Sequence, residues 1–262
     1  MSPDPLASFD VALRRAANPG PLTLTGTNSW VVGRDPAWIV DPGPDLEEHL
    51  DALAAEVRAR GGVGGIAVTH SHADHSAGLR GLCRRLGPGV AVGAGAGWAV
   101  PQEMTSVEQG RILVLADGDC FGPLRVLGLP GHSGDHLGFV LGAGAGATIC
   151  FTGDAVLGEG SVFVAADMVG YLRGLERLRD LRPVLLCPGH GPVVADPSSH
   201  IAAYLAHRAE REEAVRAAWR DGLRDDELLV AVWGPLPRRL REVAAATLQA
   251  HLHKLDAEGR LD

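Results

Sequence analysis

The 262-residue chain predicts an α/β fold in which sheets pack face to face, helices cover their outer sides, and a helical piece closes the C-terminal end. Three observations predict it. Short β-rich runs recur in hairpin order, a few amphipathic helices interrupt them, and the strand pattern gives way to helix alone after residue 198. Composition agrees: 46% of residues are apolar, 21% are charged, and the 35 glycines follow no fixed period. Collagen-like, coiled-coil and disordered chains are thereby excluded. The four cysteines, Cys83, Cys120, Cys150 and Cys187, stand far apart without a CxxC pair, which fits buried thiols in a reducing compartment. With no basic and apolar leader and no window apolar enough to span a bilayer, a cytoplasmic protein with no membrane partner is expected.

Residues 29–33 and 38–41 read as paired strands separated by turn residues. A helix follows. Asp45 and Glu48 give it a capping-box start, Leu46, Leu50, Leu53 and Val57 form its apolar stripe, and Gly61-Gly62 ends it. A buried strand over 66–69 runs directly into His70-Ser-His-Ala-Asp-His75, and the next helix carries Leu79, Leu82, Cys83 and Leu86 on one face. The histidine cluster therefore occupies a strand-to-helix loop, where ligands are usually displayed. Further strands fit 90–92, 112–115, 124–129, 137–141, 148–151 and 184–187, with a helix over 168–181 between the last two. Residues 200–220, 226–232 and 238–256 predict three helices, with room for a short final strand. The shift in pattern places a domain boundary near 207, giving domains 1–207 and 208–262. Two glycine tracts, Gly93–Gly97 and Gly142–Gly146, lack the spacing and the Lys-Ser/Thr ending of a phosphate loop, and the second reads as a hairpin turn.

The histidines carry the chemistry. His70, His72, Asp74 and His75 fall within six residues, while His132, Asp154 and His190 each follow an apolar run and sit beside glycine. Singly, each could be a turn former or a buried hydrogen-bonding group. Together they are the imidazole and carboxylate ligands that a borderline cation such as Zn²⁺ takes, and seven suffice for two metal sites. Fe or Mn would also be accepted.

Thr69-His-Ser-His-Ala-Asp-His75, Pro130-Gly-His132, Phe151-Thr-Gly-Asp154 and Gly189-His190 resemble, in order, the successive motifs of the metallo-β-lactamase superfamily. That resemblance implies a four-layer αββα sandwich with two divalent metals at one edge. It also implies that His70, His72 and His132 bind one metal, that Asp74, His75 and His190 bind the other, and that Asp154 bridges them. Asp41 matches the first motif of the superfamily, where it would support the ligands, and a plain turn role is its alternative. Thr25–Trp30, Asp154–Gly160, Cys187–Pro192 and His207–Glu212 are similar to the β-lactamase-like protein 2 group, which ends in a winged-helix-like domain matching 208–262. The Cys ligand of one class of true β-lactamases has no counterpart here, and the bridging Asp154 also points away from antibiotic hydrolysis.

The expected reaction is hydrolysis by a metal-bridging hydroxide, with Asp74 orienting that nucleophile as well as ligating. His136 offers either support for the ligands or a structural role. For substrate, the resemblance implies phosphodiester cleavage of single-stranded RNA. The alternatives are a thioesterase, like glyoxalase II or an acyl-carrier thioester hydrolase, and a noncatalytic nucleic-acid-binding or regulatory protein. Charge argues against a nucleic-acid grip: the net charge is −8, and residues 208–262 hold 10 bases against 11 acids. Arg238-Arg239-x-Arg241 is the best basic patch and reads as an ordinary solvated helix start. Packing, homo-oligomer formation or covering of the cleft remain as roles for the C-terminal domain.

Overall fold

A computed structural model of the chain describes residues 6–98, 111–142 and 146–261. Two sheets form its centre. The first runs, in spatial order, β1 (Val11–Arg15), β2 (Asn28–Val32), β3 (Ala37–Val40), β4 (Val63–Ala67), β5 (Val92–Gly95) and β6 (Ile112–Leu115). Across from it lie β7 (Cys120–Phe121), β8 (Leu124–Gly128), β9 (Leu137–Gly142), β10 (Thr148–Gly153) and β11 (Leu185–Pro188), in the order β11-β10-β9-β8-β7. Strands β1 to β3 pair antiparallel, as do β7 to β10; β3 to β6 are parallel, and so are β10 and β11.

A parallel neighbour requires a crossover, and helices supply it. Between β3 and β4 runs α1 (Glu47–Ala59), between β4 and β5 run α2 (Ala73–Ser76) and α3 (Leu79–Leu86), and between β10 and β11 runs α4 (Met168–Leu181). These helices cover the outer faces. Leu50, Leu53, Val57, Leu79 and Leu82 pack on Val31, Ile39 and Ile66 of the first sheet, while Tyr171, Leu175 and Leu178 pack on Leu127, Val140 and Leu186 of the second. Between the sheets lie Trp30, Val40, Leu124, Val126, Phe139 and Phe151, with the rings of Trp30 and Phe151 5.8 Å apart. The four-layer αββα sandwich follows from these faces. Coverage on both sides explains why central strands such as β2 are buried at every position.

The C-terminal region is helical. It comprises α5 (Pro197–Arg220), α6 (Asp225–Trp233) and α7 (Arg238–Ala257), with a small core of Val215, Leu228, Leu229, Ala244 and Leu248. Helix α5 runs unbroken through residue 207: Ile201 and Tyr204 belong to the main core, and Val215 belongs to the small one. Among the described residues no helix is long and apolar enough to cross a membrane.

Several sequence expectations need correction. Asp45 does not cap α1; Leu46 is the N-cap, extended at φ −114° and without a side-chain bond, and at 38% exposure it also lies outside the buried stripe. The strand expected over 90–92 forms instead as β5, and so takes in part of the first glycine tract, where Gly93 lies under the Leu115 side chain. Gly142 pairs with Thr148 as a hairpin requires, and residues 143–145 lie outside the described residues. No final strand is present among the described residues: Gly259 takes a left-handed φ of 64°, and the Arg260 N–H returns to the Leu255 carbonyl in a helix-ending turn. Strands β1 and β7 have no counterpart in the sequence expectations.

The inter-sheet core sets the expected stability response. Phe139→Ala, at a fully buried position between the sheets, is expected to lower unfolding free energy by about 3–5 kcal/mol in urea titration of the metal-free protein. Val114→Thr, on the 70% exposed outer position of β6, should stay within about 0.5 kcal/mol.

Candidate metal centre

Five loops leave the C-terminal ends of β3, β4, β8, β10 and β11 at one edge of the sandwich, and they carry Asp41, the His70–His75 run, His132, Asp154 and His190. Backbone bonds join the two sheets there. Leu137 N–H donates to the Thr69 carbonyl at 2.7 Å, and Asn28 N–H to the Gly189 carbonyl at 2.7 Å. All seven sequence-selected side chains come together. Ligand atoms of His70, His72 and His132 lie within 4.8 Å of one another, as do those of His70, His75 and Asp154 and those of Asp74, His75 and His190.

Four of the five imidazoles are oriented by a bond on the far side. Asp41, in the left-handed region at φ 58°, accepts from Thr69 N–H at 2.7 Å and from Thr69 Oγ1 at 2.8 Å, and it takes His75 Nδ1–H at 2.8 Å. The Thr69 hydroxyl has one proton and gives it to Asp41, so it accepts from His70 Nδ1–H at 3.0 Å. His132 Nδ1 donates to the Phe163 carbonyl at 2.9 Å, and His190 Nδ1 faces the Gly26 carbonyl at 3.3 Å. Four rings thus turn Nε2 inward, an arrangement in which backbone or carboxylate partners fix the tautomer of a metal-binding histidine.

These inward nitrogens test whether a cation fits. His72 Nδ1 lies 3.0 Å from both His70 Nε2 and His132 Nε2. One proton on His72 Nδ1 serves one of those lone pairs, whereas a cation serves all three. For a tetrahedral ion bound by nitrogens at about 2.0–2.1 Å, ligand nitrogens stand roughly 3.4 Å apart, close to what is found. Asp154 adds a second sign: its Oδ1 is buried without a hydrogen-bond partner, 3.4 Å from His75 Nε2, while Oδ2 lies 3.4 Å from His190 Nε2 and 3.7 Å from His132 Nε2. The residues fit a metal centre with Asp154 in the middle.

His136 supports that carboxylate. Its Nε2 accepts from the Asp154 backbone N–H at 3.0 Å, and its ring stacks on His70 with centroids 4.8 Å apart. Close approach also requires glycine: a Cβ at Gly189 would stand 2.6 Å from both Asp154 Oδ1 and His75 Cε1. Sequence reasoning misses Thr69 and the carbonyls of Phe163 and Gly26. The position of Thr69, directly before the histidine run, is the one available signal, since backbone carbonyls leave none in a sequence.

Charge divides the imidazoles. Burial drives His70 well below the ordinary histidine value, and His75 and His136 push it further; burial lowers His72 as well, followed by His132. Burial also opposes charge on His75 and His190, but there the carboxylates prevail. Asp154 and Asp41 hold His75 well above the ordinary value, and Asp154 raises His190 to about 9. Burial disfavours ionised Asp154 and Asp74 too, yet His75 and His190 keep Asp154 well below the usual carboxylate range, and the His190 contact lowers Asp74.

Two outcomes follow for metal binding. A cation binds the unprotonated ring, whereas the proton on His190 is held up to about 9 and that on His75 is also held more tightly than usual, so metal must displace protons and affinity must rise with pH. Calorimetry at neutral pH in buffers of different ionisation enthalpy is expected to register proton release, with Zn²⁺ affinity increasing about tenfold per pH unit for each proton displaced; a pH-independent affinity would contradict the arrangement. His72→Ala and Asp154→Ala are each expected to lose bound metal and activity together, read by elemental analysis beside an assay.

Comparison with known proteins agrees with this geometry. The profile of the Metallo-beta-lactamase superfamily matches residues 22–190. The Beta-lactamase-like protein 2 homolog of Drosophila melanogaster is 29% identical over 93% of this chain and 87% of its own length. An atrochrysone carboxyl ACP thioesterase of Aspergillus novofumigatus is 31% identical over 83% of this chain and 69% of its own. Among solved structures, a metallo-beta-lactamase family protein from Thermus thermophilus superposes with a TM-score of 0.69 at 25% identity, covering 95% of this chain and 94% of that one. The chain therefore belongs to the metallo-β-lactamase superfamily and is a metal-dependent hydrolase.

Proposed function

We propose that the protein hydrolyses an acyl thioester whose acyl group is short and apolar. The observation that carries this reading is the lining of the cleft beside the metal centre. A cavity of about 200 Å³ lies between His72, Asp74, His132 and Asp154 on one side and Leu22, Leu24, Leu157, Val162, Phe163 and Val243 on the other. Outside the cluster its described lining holds one charge, Glu159, and neither arginine nor lysine. Such a wall favours an aliphatic group, at about 0.8 kcal/mol per buried CH₂. A nucleic-acid strand instead needs a positive groove and stacking platforms. The phosphodiester reading implied by the sequence resemblance has no cationic groove to rest on among the described lining residues. The name of the Aspergillus novofumigatus relative supports thioester chemistry.

Divalent cations, when bound, supply a water that ionises near pH 7 and polarise the carbonyl oxygen. Zn²⁺ suits a set built on five imidazoles. His70, His72 and His132 would hold one cation, and Asp74, His75 and His190 would hold the other, with Asp154 between. Asp74 lines the cleft, with Oδ2 3.2 Å from His190 Nε2, and is kept ionised, so it can orient the attacking water and accept its proton. The leaving group needs little help. A thiol of pKa about 8.5 departs as thiolate, which suits a cleft whose only titratable lining group outside the cluster, among the described residues, is Glu159. An amine or alkoxide would demand a general acid placed against it.

The test is a side-by-side assay on protein of measured metal content, with acyl-CoA thioesters from acetyl to octanoyl, bis-p-nitrophenyl phosphate and a single-stranded oligoribonucleotide. Thioester kcat/KM is expected to exceed phosphodiester kcat/KM by about a hundredfold, roughly 2.7 kcal/mol of transition-state binding. Val243→Ala, which cuts back the apolar wall and enlarges the cavity, should move the preferred acyl group to a longer chain. Cleavage of the oligoribonucleotide with inert thioesters would overturn the reading.

A further inference from the structure

We propose that the C-terminal helices hold a metal-centre imidazole in place, with Arg208 on α5 and Thr247 on α7 acting as positioning residues for His132. This rests on the reading of His132 as a metal ligand and is independent of the acyl substrate. The link is the segment 161–164, which belongs to no helix or strand. Its Phe163 carbonyl takes the His132 Nδ1 proton at 2.9 Å and so leaves Nε2 facing the cluster, 3.0 Å from His72 Nδ1. No sheet ladder fixes that carbonyl. Two side chains from the C-terminal helices fix the residues on either side of it.

Arg208 Nη2 donates to Ser161 Oγ at 2.6 Å and also to the Val162 carbonyl. On the other side of Phe163, Thr247 Oγ1 accepts from Val164 N–H at 3.0 Å while giving its own proton to the Val243 carbonyl at 3.0 Å. The Phe163 side chain packs against the small C-terminal core. Arg208 is only 3% exposed and makes no ion pair among the described residues, and its guanidinium lies 5.4 Å from the Tyr171 ring centroid. Glu212, one turn further along α5, is engaged by Lys254 and Arg260, each at 2.7 Å. A buried cation without an acid partner is unfavourable unless oxygens compensate it; the oxygens of Ser161 and Val162 do so at Nη2, while Nε is buried without a hydrogen-bond partner. Helix α7 acts twice, because Val243, one turn before Thr247, lines the cleft.

The partners behind a metal ligand typically govern affinity by ten- to a hundredfold, so the test reads Zn²⁺ affinity of the metal-free full-length protein by competition with a chromophoric chelator. Thr247→Val keeps the side-chain shape and removes the acceptor; it is expected to weaken one Zn²⁺ equivalent about tenfold. In a His132→Ala background the same substitution should produce no further loss. Arg208→Met should weaken the same equivalent, and Arg208→Lys, which retains a donor, should fall between Arg208→Met and the parent. Unchanged affinity in Thr247→Val would overturn the proposal. An equal loss in the His132→Ala background would also overturn it, since that pattern marks a general structural effect. Parent-like binding of both equivalents by His132→Ala alone would overturn the ligand reading itself and the proposal with it. Should Arg208→Met fail to fold, Thr247→Val carries the decision.

Discussion

Five imidazole rings and two carboxylates converge at one edge of this sandwich, at separations that positive charge among them reconciles. His72 Nδ1 faces two inward Nε2 atoms at 3.0 Å, and His75 Nε2 faces His190 Nε2 at 3.2 Å. Left to themselves, these groups would repel or trap protons, as the raised values of His75 and His190 record. Much of the surrounding architecture keeps them from relaxing apart. Asp41 and Thr69 tie His70 and His75 to each other, His136 holds the Asp154 backbone, and the bond from Leu137 N–H to the Thr69 carbonyl binds one sheet to the other beside them. In a low-dielectric setting such a network is either fully satisfied or costly, and the apolar layer between the sheets supplies the rigidity that holds it.

How much of this is legible in the sequence depends on how local each signal is. The His70–His75 run is contained in one loop after one strand, so its convergence can be argued from spacing alone. His132, Asp154 and His190 share only a placement, each after an apolar run and beside glycine; their ligand chemistry groups them with the run, and the family resemblance assigns each to a metal. Helix α4 is legible to the residue because its apolar stripe coincides with a true cap, Asp167 accepting from Gly170 N–H. The start of α1 is misleading because Asp45 has the right chemistry one position too early, where Leu46 makes the turn. Strand β1 escapes notice because its second half, Arg14-Arg15, lacks the apolar pattern, and β7 because it is two residues long. The cleft wall is illegible for a different reason: Leu22, Leu157 and Val243 come from three distant stretches, and each looks like an ordinary core residue until the chain is folded.

The acidic composition, which in bulk counts against nucleic acid, gains a local meaning in the cleft. A net charge of −8 weakens any general attraction for polyanions, and the described lining carries Glu159 in place of the cations that a phosphate chain would need. Bulk charge and local lining therefore select in the same direction. They differ in reach, since bulk charge is screened within about 8–10 Å at ordinary salt, whereas the lining acts at contact.

The C-terminal helices are then part of the site's construction. Helix α5 enters both cores without a break, and α7 brings Val243 to the cleft and Thr247 to the backbone behind His132. If the segment 161–164 transmits that contact, linkage makes the effect reciprocal: whatever steadies α5 and α7 favours the metal-bound imidazole, and bound metal steadies the packing of α5 and α7 in return. A site assembled from both regions also gives a near-neutral helical segment, with no strand among its described residues, a part in a hydrolase that needs no nucleic-acid grip. Its contribution is position and shape, and both are exerted through a few hydrogen bonds to a short stretch of irregular backbone.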